Sequence, residues 1–174
     1  MDICKIDQMN RKEIDDFIIC QWFSLQMVLH GKSIDLGAAD GWYAVQDNEI
    51  VGLITYRILD DRMEILSLDS LREQHGVGTA LLNMAISYAR NDGISKITLI
   101  TTNDNLPALR FYQKRGFDMA RLFCNAVDLS RKLKPEIPLF GIDGIPLKHE
   151  IELEMDIRQI RFPDIYSTYQ REYE

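Results

Sequence analysis

Apolar and polar positions follow two periods along this chain, and the changes from one to the other outline its elements. Asp2 to Asp7 reads as a first strand. From Lys12 to Leu29, Ile14, Phe17, Ile18, Trp22, Leu25 and Leu29 recur at spacings of three and four, which predicts an amphipathic helix or a pair of helices. The stretch from His30 to Asp40 is rich in Gly, Ser and Asp and predicts a loop. Gly41 to Gln46 and Glu49 to Leu59 flank Asp47-Asn48 as a hairpin, and Asp60-Asp61 turns the chain into a third strand, Arg62 to Leu68. A long helical pattern then carries Ala80, Leu81, Leu82, Met84, Ala85, Ile86 and Tyr88 as its apolar face. Strand Lys96 to Thr101, a short helix, and a strand from Phe117 to about Cys124 follow. Asn125 to Lys134 reads as a short helical or irregular connection, and His149 to Met155 alternates as a last strand. This order predicts an α/β fold with a mixed central sheet.

Two motifs punctuate the pattern. Gly76-Val77-Gly78-Thr79 lies between a strand and the long helix. Glycine lets the backbone take unusual dihedrals and a ligand come close, and the first amides of a helix lack intrahelical partners, so such a turn binds phosphate oxygens. An ordinary strand-to-helix turn would carry the same two glycines. The third glycine of a dinucleotide fingerprint and the Gly-Lys-Ser/Thr of a P-loop are both missing. The second motif, Asn105-Leu106-Pro107-Ala108-Leu109-Arg110-Phe111-Tyr112-Gln113-Lys114-Arg115-Gly116-Phe117, has Pro107 for a first helical turn and Gly116 for the left-handed position after the last. Tyr112 shares a helix side with Ala108 and Leu109, as either a buried anchor or a positioned phenol.

Together the motifs resemble the GCN5-related N-acetyltransferase (GNAT) superfamily, over about Gly41 to Phe123. Its members carry an Arg/Gln-x-x-Gly-x-Gly/Ala loop and often an Asn-x-x-Ala-x-x-x-Tyr segment ending in Gly-Phe. The chain departs at one position: three before Gly76 stands Glu73, whose carboxylate repels phosphate, with Arg72 beside it. The resemblance implies a mixed sheet flanked by helices, its strands splayed at an acyl-CoA site, with acetyl-CoA as co-substrate and no metal. It places Ser67 and Leu68 beside the pantetheine arm and the loop Glu73, Gln74, His75, Gly76, Val77, Gly78 and Thr79 around the pyrophosphate. Asn105 then holds the cofactor or the surroundings of Tyr112, and Tyr112 is the general acid. A phenol has a reference pKa of about 10 and is protonated at neutral pH. For the general base there are three candidates: Glu64 in the preceding strand, Asp69 nearer the loop, and a water chain. Glu64 also reads as a strand carboxylate opposite Arg57 or Arg62. The implied activity is transfer of acetyl from acetyl-CoA directly to a primary amine of a small molecule or peptide. An acyl-CoA-binding module without turnover is the alternative, and a purely structural or interaction domain a third.

Composition narrows this picture. At 174 residues, 46% of them hydrophobic, the chain suits one domain, placed at residues 1–157, with a tail from 158 to 174 that is loosely ordered or makes a dimer contact. Twenty Lys and Arg against 27 Asp and Glu give a formal charge of −7, which disfavours nucleic acid and anionic membranes and suits a cationic acceptor such as an amine. Cys4, Cys20 and Cys124 have no pairing or metal-binding pattern and read as reduced, partly buried residues. His30, His75 and His149 lack metal-ligand spacing. Without a signal pattern or a long apolar run, the expectation is a soluble cytoplasmic protein, with a homodimer through the C-terminal strands as one possible assembly. Trp22, Trp42, Tyr43 and Tyr56 belong to the core or to a substrate wall.

Overall fold

A computed structural model describes residues 1–72 and 75–158. In chain order the elements are β1 (Asp2–Lys5), α1 (Arg11–Trp22), β2 (Gln26–Leu29), β3 (Lys32–Asp35), a 3₁₀ turn (Leu36–Ala38), β4 (Asp40–Gln46), β5 (Glu49–Leu59) and β6 (Arg62–Ser70). After the glycine loop come α2 (Val77–Asn91), β7 (Lys96–Thr102), α3 (Leu106–Gln113), β8 (Asp118–Phe123), α4 (Ala126–Leu133), a second 3₁₀ turn (Ile142–Gly144) and β9 (Glu150–Asp156). Seven strands form one mixed sheet in the order β1-β4-β5-β6-β7-β9-β8, in which only β6 and β7 pair in parallel.

The predicted hairpins are present. Asp47 and Asn48 both take positive φ, 55° and 65°, the conformation that a two-residue hairpin loop requires. The expected helix or helix pair from Lys12 to Leu29 is corrected. Only its first part is helical, because Phe23 turns left-handed at φ 60° and ends α1. Gln26 to Leu29 then pairs with Lys32 to Asp35 across His30 and Gly31, at φ 50° and 66°, so part of the expected loop is a strand as well. Apolar spacing of three and four does not distinguish a helix continuing from one that stops into a short amphipathic strand. Cys20 and Cys124 are exposed and Cys4 is half-buried, so two of the three thiols are more open than expected, and all three are free.

Two apolar cores lie on opposite faces of the sheet. One joins Trp42, Tyr56, Met63 and Ile65 to Leu81, Leu82, Ala85 and Ile86 of α2 and to Leu109, Tyr112 and Phe117 around α3. The other joins Leu53 and Leu66 to Ile14 and Ile18 of α1 and to Ile34 and Leu36. Each fully buried aliphatic side chain contributes about 1.5–3 kcal/mol of transfer free energy. Trp42 and Tyr56 stack at 4.9 Å between ring centroids and belong to the core.

The sheet opens at its centre. β6 pairs with β7 only from Arg62↔Lys96 to Ile65↔Leu99, although both strands run on. There Tyr56 faces Ile65 and Thr55 faces Ser67, leaving Leu66 as an extra residue. Such a bulge bends its strand, here away from β7. It also shifts the alternation of side chains: Ile65 and Leu68 pack with the α2 core, whereas Leu66 packs with the α1 core and Asp69 meets Trp22 of α1.

Candidate active site

The opening between β6 and β7 is a cavity of about 1120 Å³, bounded by the start of α2 on one side and by α3 on another. Gly76 caps α2 at φ 80°, and a Cβ placed on it would meet nothing within 4 Å. The first turn of α2 has no side-chain cap and no acidic residue, so the positive end of the helix is not compensated by its own side chains. Gly52 of β5 allows α2 to approach: a Cβ there would lie 2.6 Å from Val77 and 2.8 Å from the Asp69 carbonyl.

α3 begins as its sequence predicts. Asn105 Oδ1 accepts the Ala108 N–H at 3.1 Å, and Pro107 stands in the first turn. The helix buries Leu109 and Tyr112, and Tyr112 packs edge-to-face on Phe117 with centroids 5.3 Å apart. Burial holds the phenol's pKa well above its ordinary value, the charge of Asp69 adds to the rise, and Arg115 opposes it. Tyr112 therefore remains a neutral proton donor through the physiological range.

Asp69 faces the cavity from the α1 side. The Trp22 indole N–H donates to both of its oxygens at 3.1 Å. Burial raises this carboxyl above its usual value, while hydrogen bonds from Trp22 and Ser67 pull it back. Ser67 also shares a buried hydroxyl contact with Thr55 at 2.8 Å.

Of the residues expected from sequence, Ser67, Leu68, Gly76, Val77, Gly78, Thr79, Asn105 and Tyr112 all line the cavity. His75 is exposed and stands outside the lining. Glu73 and Gln74, like residues 159–174 of the expected tail, lie outside the described residues. Glu64 is not brought to the cavity. It precedes the point where the strands part, is only 9% exposed, and pairs with Arg57 through Oε2 and Nε. The strand reading of this carboxylate therefore describes its place. Trp22, read from sequence as core or substrate wall, is in the lining, and so is Arg115, which had no assigned role. Trp22 forms the wall over Asp69, and Arg115 donates to Thr79. Trp22 stands 47 residues from its partner, which no local pattern reveals. Among the described residues, no three potential metal ligands cluster, and no helix is long and apolar enough to cross a membrane.

Residues 8–117 match the model of the acetyltransferase (GNAT) family. Protein YxbD of Bacillus subtilis (strain 168), itself uncharacterized, is 45% identical over 159 residues, spanning 91% of this chain and 100% of its own. N-acetyltransferase 8B of Homo sapiens is 31% identical over 84 residues, 44% of this chain and 37% of that protein. A GNAT family acetyltransferase from Elizabethkingia anophelis, solved with acetyl-CoA bound, superposes with a TM-score of 0.63 at 22% identity, covering 89% of this chain and 97% of that one. The glycine loop at the splayed strands and the Asn105–Phe117 segment around α3 both lie within the matched residues, and the chain belongs to the acetyltransferase (GNAT) family.

Proposed function

We propose that this protein transfers the acetyl group of acetyl-CoA directly to a primary amine, with Asp69 as general base and Tyr112 as general acid. The observation that carries this reading is the placement of the two groups. One reaches the opening between β6 and β7 from the α1 side and the other from the α3 helix, so a thioester in the opening lies between an acceptor and a donor of protons.

The residues fit the cofactor. The unpaired edges of β6 and β7 offer backbone groups to a pantetheine arm, as in a sheet missing one strand. The uncapped amides of α2 suit the diphosphate. In the reaction the amine nitrogen attacks the acyl carbon, its proton passes to the Asp69 carboxylate, and the carbon–sulfur bond breaks as Tyr112 protonates the departing thiolate. Burial strengthens Asp69 as a base and keeps Tyr112 protonated. Among the described residues of the lining, Asp69 and Asp143 are the carboxylates, beside the cations Arg72, Arg110, Lys114 and Arg115, so the lining as a whole suits the anionic acetyl-CoA.

The test is release of CoA thiol from acetyl-CoA against a panel of polyamines, amino acids, aminoglycosides and short peptides. Release that requires one class of amine is the expected result. Binding of acetyl-CoA with no release for any amine would contradict turnover, and no binding would contradict the cofactor.

A further inference from the structure

Resting on the reading that acetyl-CoA fills the cavity, we propose that Arg115 supplies the cationic contact to the CoA diphosphate that Glu73 cannot make. Glu73 leaves that loop position without a cation, and Arg115 brings one to the lining from beyond the end of α3.

Arg115 follows α3 and reaches back across to the start of α2. Its Nη2 donates to Thr79 Oγ1 at 2.6 Å, and its Nη1 donates to the Phe111 carbonyl at 2.8 Å. Its guanidinium carbon lies 3.6 Å from the centroid of the Phe111 ring. That ring in turn stands 3.6 Å from where a Cβ on Gly78 would be. Arg115, Phe111, Gly78 and Thr79 thus form one packed unit at the first turn of α2, and all four line the cavity beside Gly76.

The electrostatics of this unit point to an anion. The guanidinium and the first amides of α2 both stand at the lining of the cavity, where an anion can meet the two together. An anion between the guanidinium and the α2 amides turns both into charge-assisted donors. The side chain is already held by the Phe111 ring and by two acceptors, so little rotamer freedom is lost on binding. Thr79 accepts from Arg115, which leaves its hydroxyl proton for a phosphate oxygen.

A purely structural role, tying α3 to α2, predicts the same contacts, so the test separates ligands rather than variants alone. Wild type, Arg115→Gln and Arg115→Lys are titrated calorimetrically with CoA and with pantetheine, which has the same arm but no diphosphate. The expected result is that Arg115→Gln weakens CoA about 10- to 100-fold, the worth of a charge-assisted hydrogen bond, and leaves pantetheine unchanged, with Arg115→Lys between. Equal weakening of both ligands, or unchanged CoA affinity, overturns the assignment. Should the Gln variant not fold, the Lys variant carries the same comparison. Wild type that binds neither ligand overturns the cofactor reading itself, and this assignment with it.

Discussion

Trp22 donates its indole N–H to both oxygens of Asp69, and both residues line the cavity. The hydrogen bond favours the ionised carboxylate, whereas burial favours the protonated one, and burial is the larger effect. Burial therefore holds the Asp69 carboxyl above the ordinary 3.8, and under the proposed mechanism it should shape the acid limb of kcat/KM. Trp22→Phe removes a donor to the ionised form, so the limb should move to higher pH; a pH–rate profile that stays in place would contradict Asp69 as base. The same burial has a sign for stability. A carboxyl with a raised folded pKa stabilises the fold below its unfolded pKa, and that contribution is lost as pH rises through the window between the two values. Ionised Asp69 thus costs stability at neutral pH, and Asp69→Asn should melt at a higher temperature than wild type at pH 7 while losing about 10²- to 10⁴-fold in rate. A lower melting temperature would contradict that sign. Sequence alone placed Tyr112 and the two glycines, because helix punctuation and turn chemistry are local. It put Glu64 ahead of Asp69 as the base, whereas Asp69 is the one that lines the cavity. That placement depends on the extra residue Leu66, which changes the face on which every later side chain of β6 stands.

At the scale of elements, the site depends on how closely α2 lies on the sheet. The helix pattern was legible from Leu81, Leu82, Ala85 and Ile86, but the reason for Gly52 was not, since its neighbours Val77 and Leu81 come from a different element. A methyl group at Gly52 would stand 2.6 Å from Val77 Cγ1 and 2.8 Å from the Asp69 carbonyl. Gly52→Ala should therefore push α2 and the bent end of β6 apart, costing about 1–3 kcal/mol in denaturant unfolding and weakening acetyl-CoA. Unfolding and cofactor affinity equal to those of wild type would show that the close approach is not needed. The β2–β3 hairpin was missed for a related reason. Its strands are four residues each, and its turn depends on positive φ at His30 and Gly31, which the apolar spacing does not report.

For the whole molecule, the last strand holds the two halves together. β9 enters between β7 and β8, a neighbour relation that an alternating pattern from His149 to Met155 cannot encode. Its first residue, Glu150, is 3% exposed and gathers three segments. Its Oε2 accepts from His30 Nδ1 at 2.6 Å and from the His30 backbone at 3.1 Å, and its Oε1 accepts from Ser130 of α4 at 3.3 Å. Glu150→Ala should destabilise the fold by about 1–3 kcal/mol and expose the His30–Gly31 turn to limited proteolysis. Cleavage as slow as in wild type would show that the hairpin is held by other contacts. The central claim is direct acetyl transfer in an opening flanked by a carboxylate and a phenol. The measurement that tests it most directly is amine-dependent thiol release by Tyr112→Phe, with folding and acetyl-CoA binding checked in the same sample. The account predicts an intact, cofactor-binding protein whose rate falls about 10²- to 10⁴-fold. A variant that turns over as fast as wild type would contradict Tyr112 as the acid.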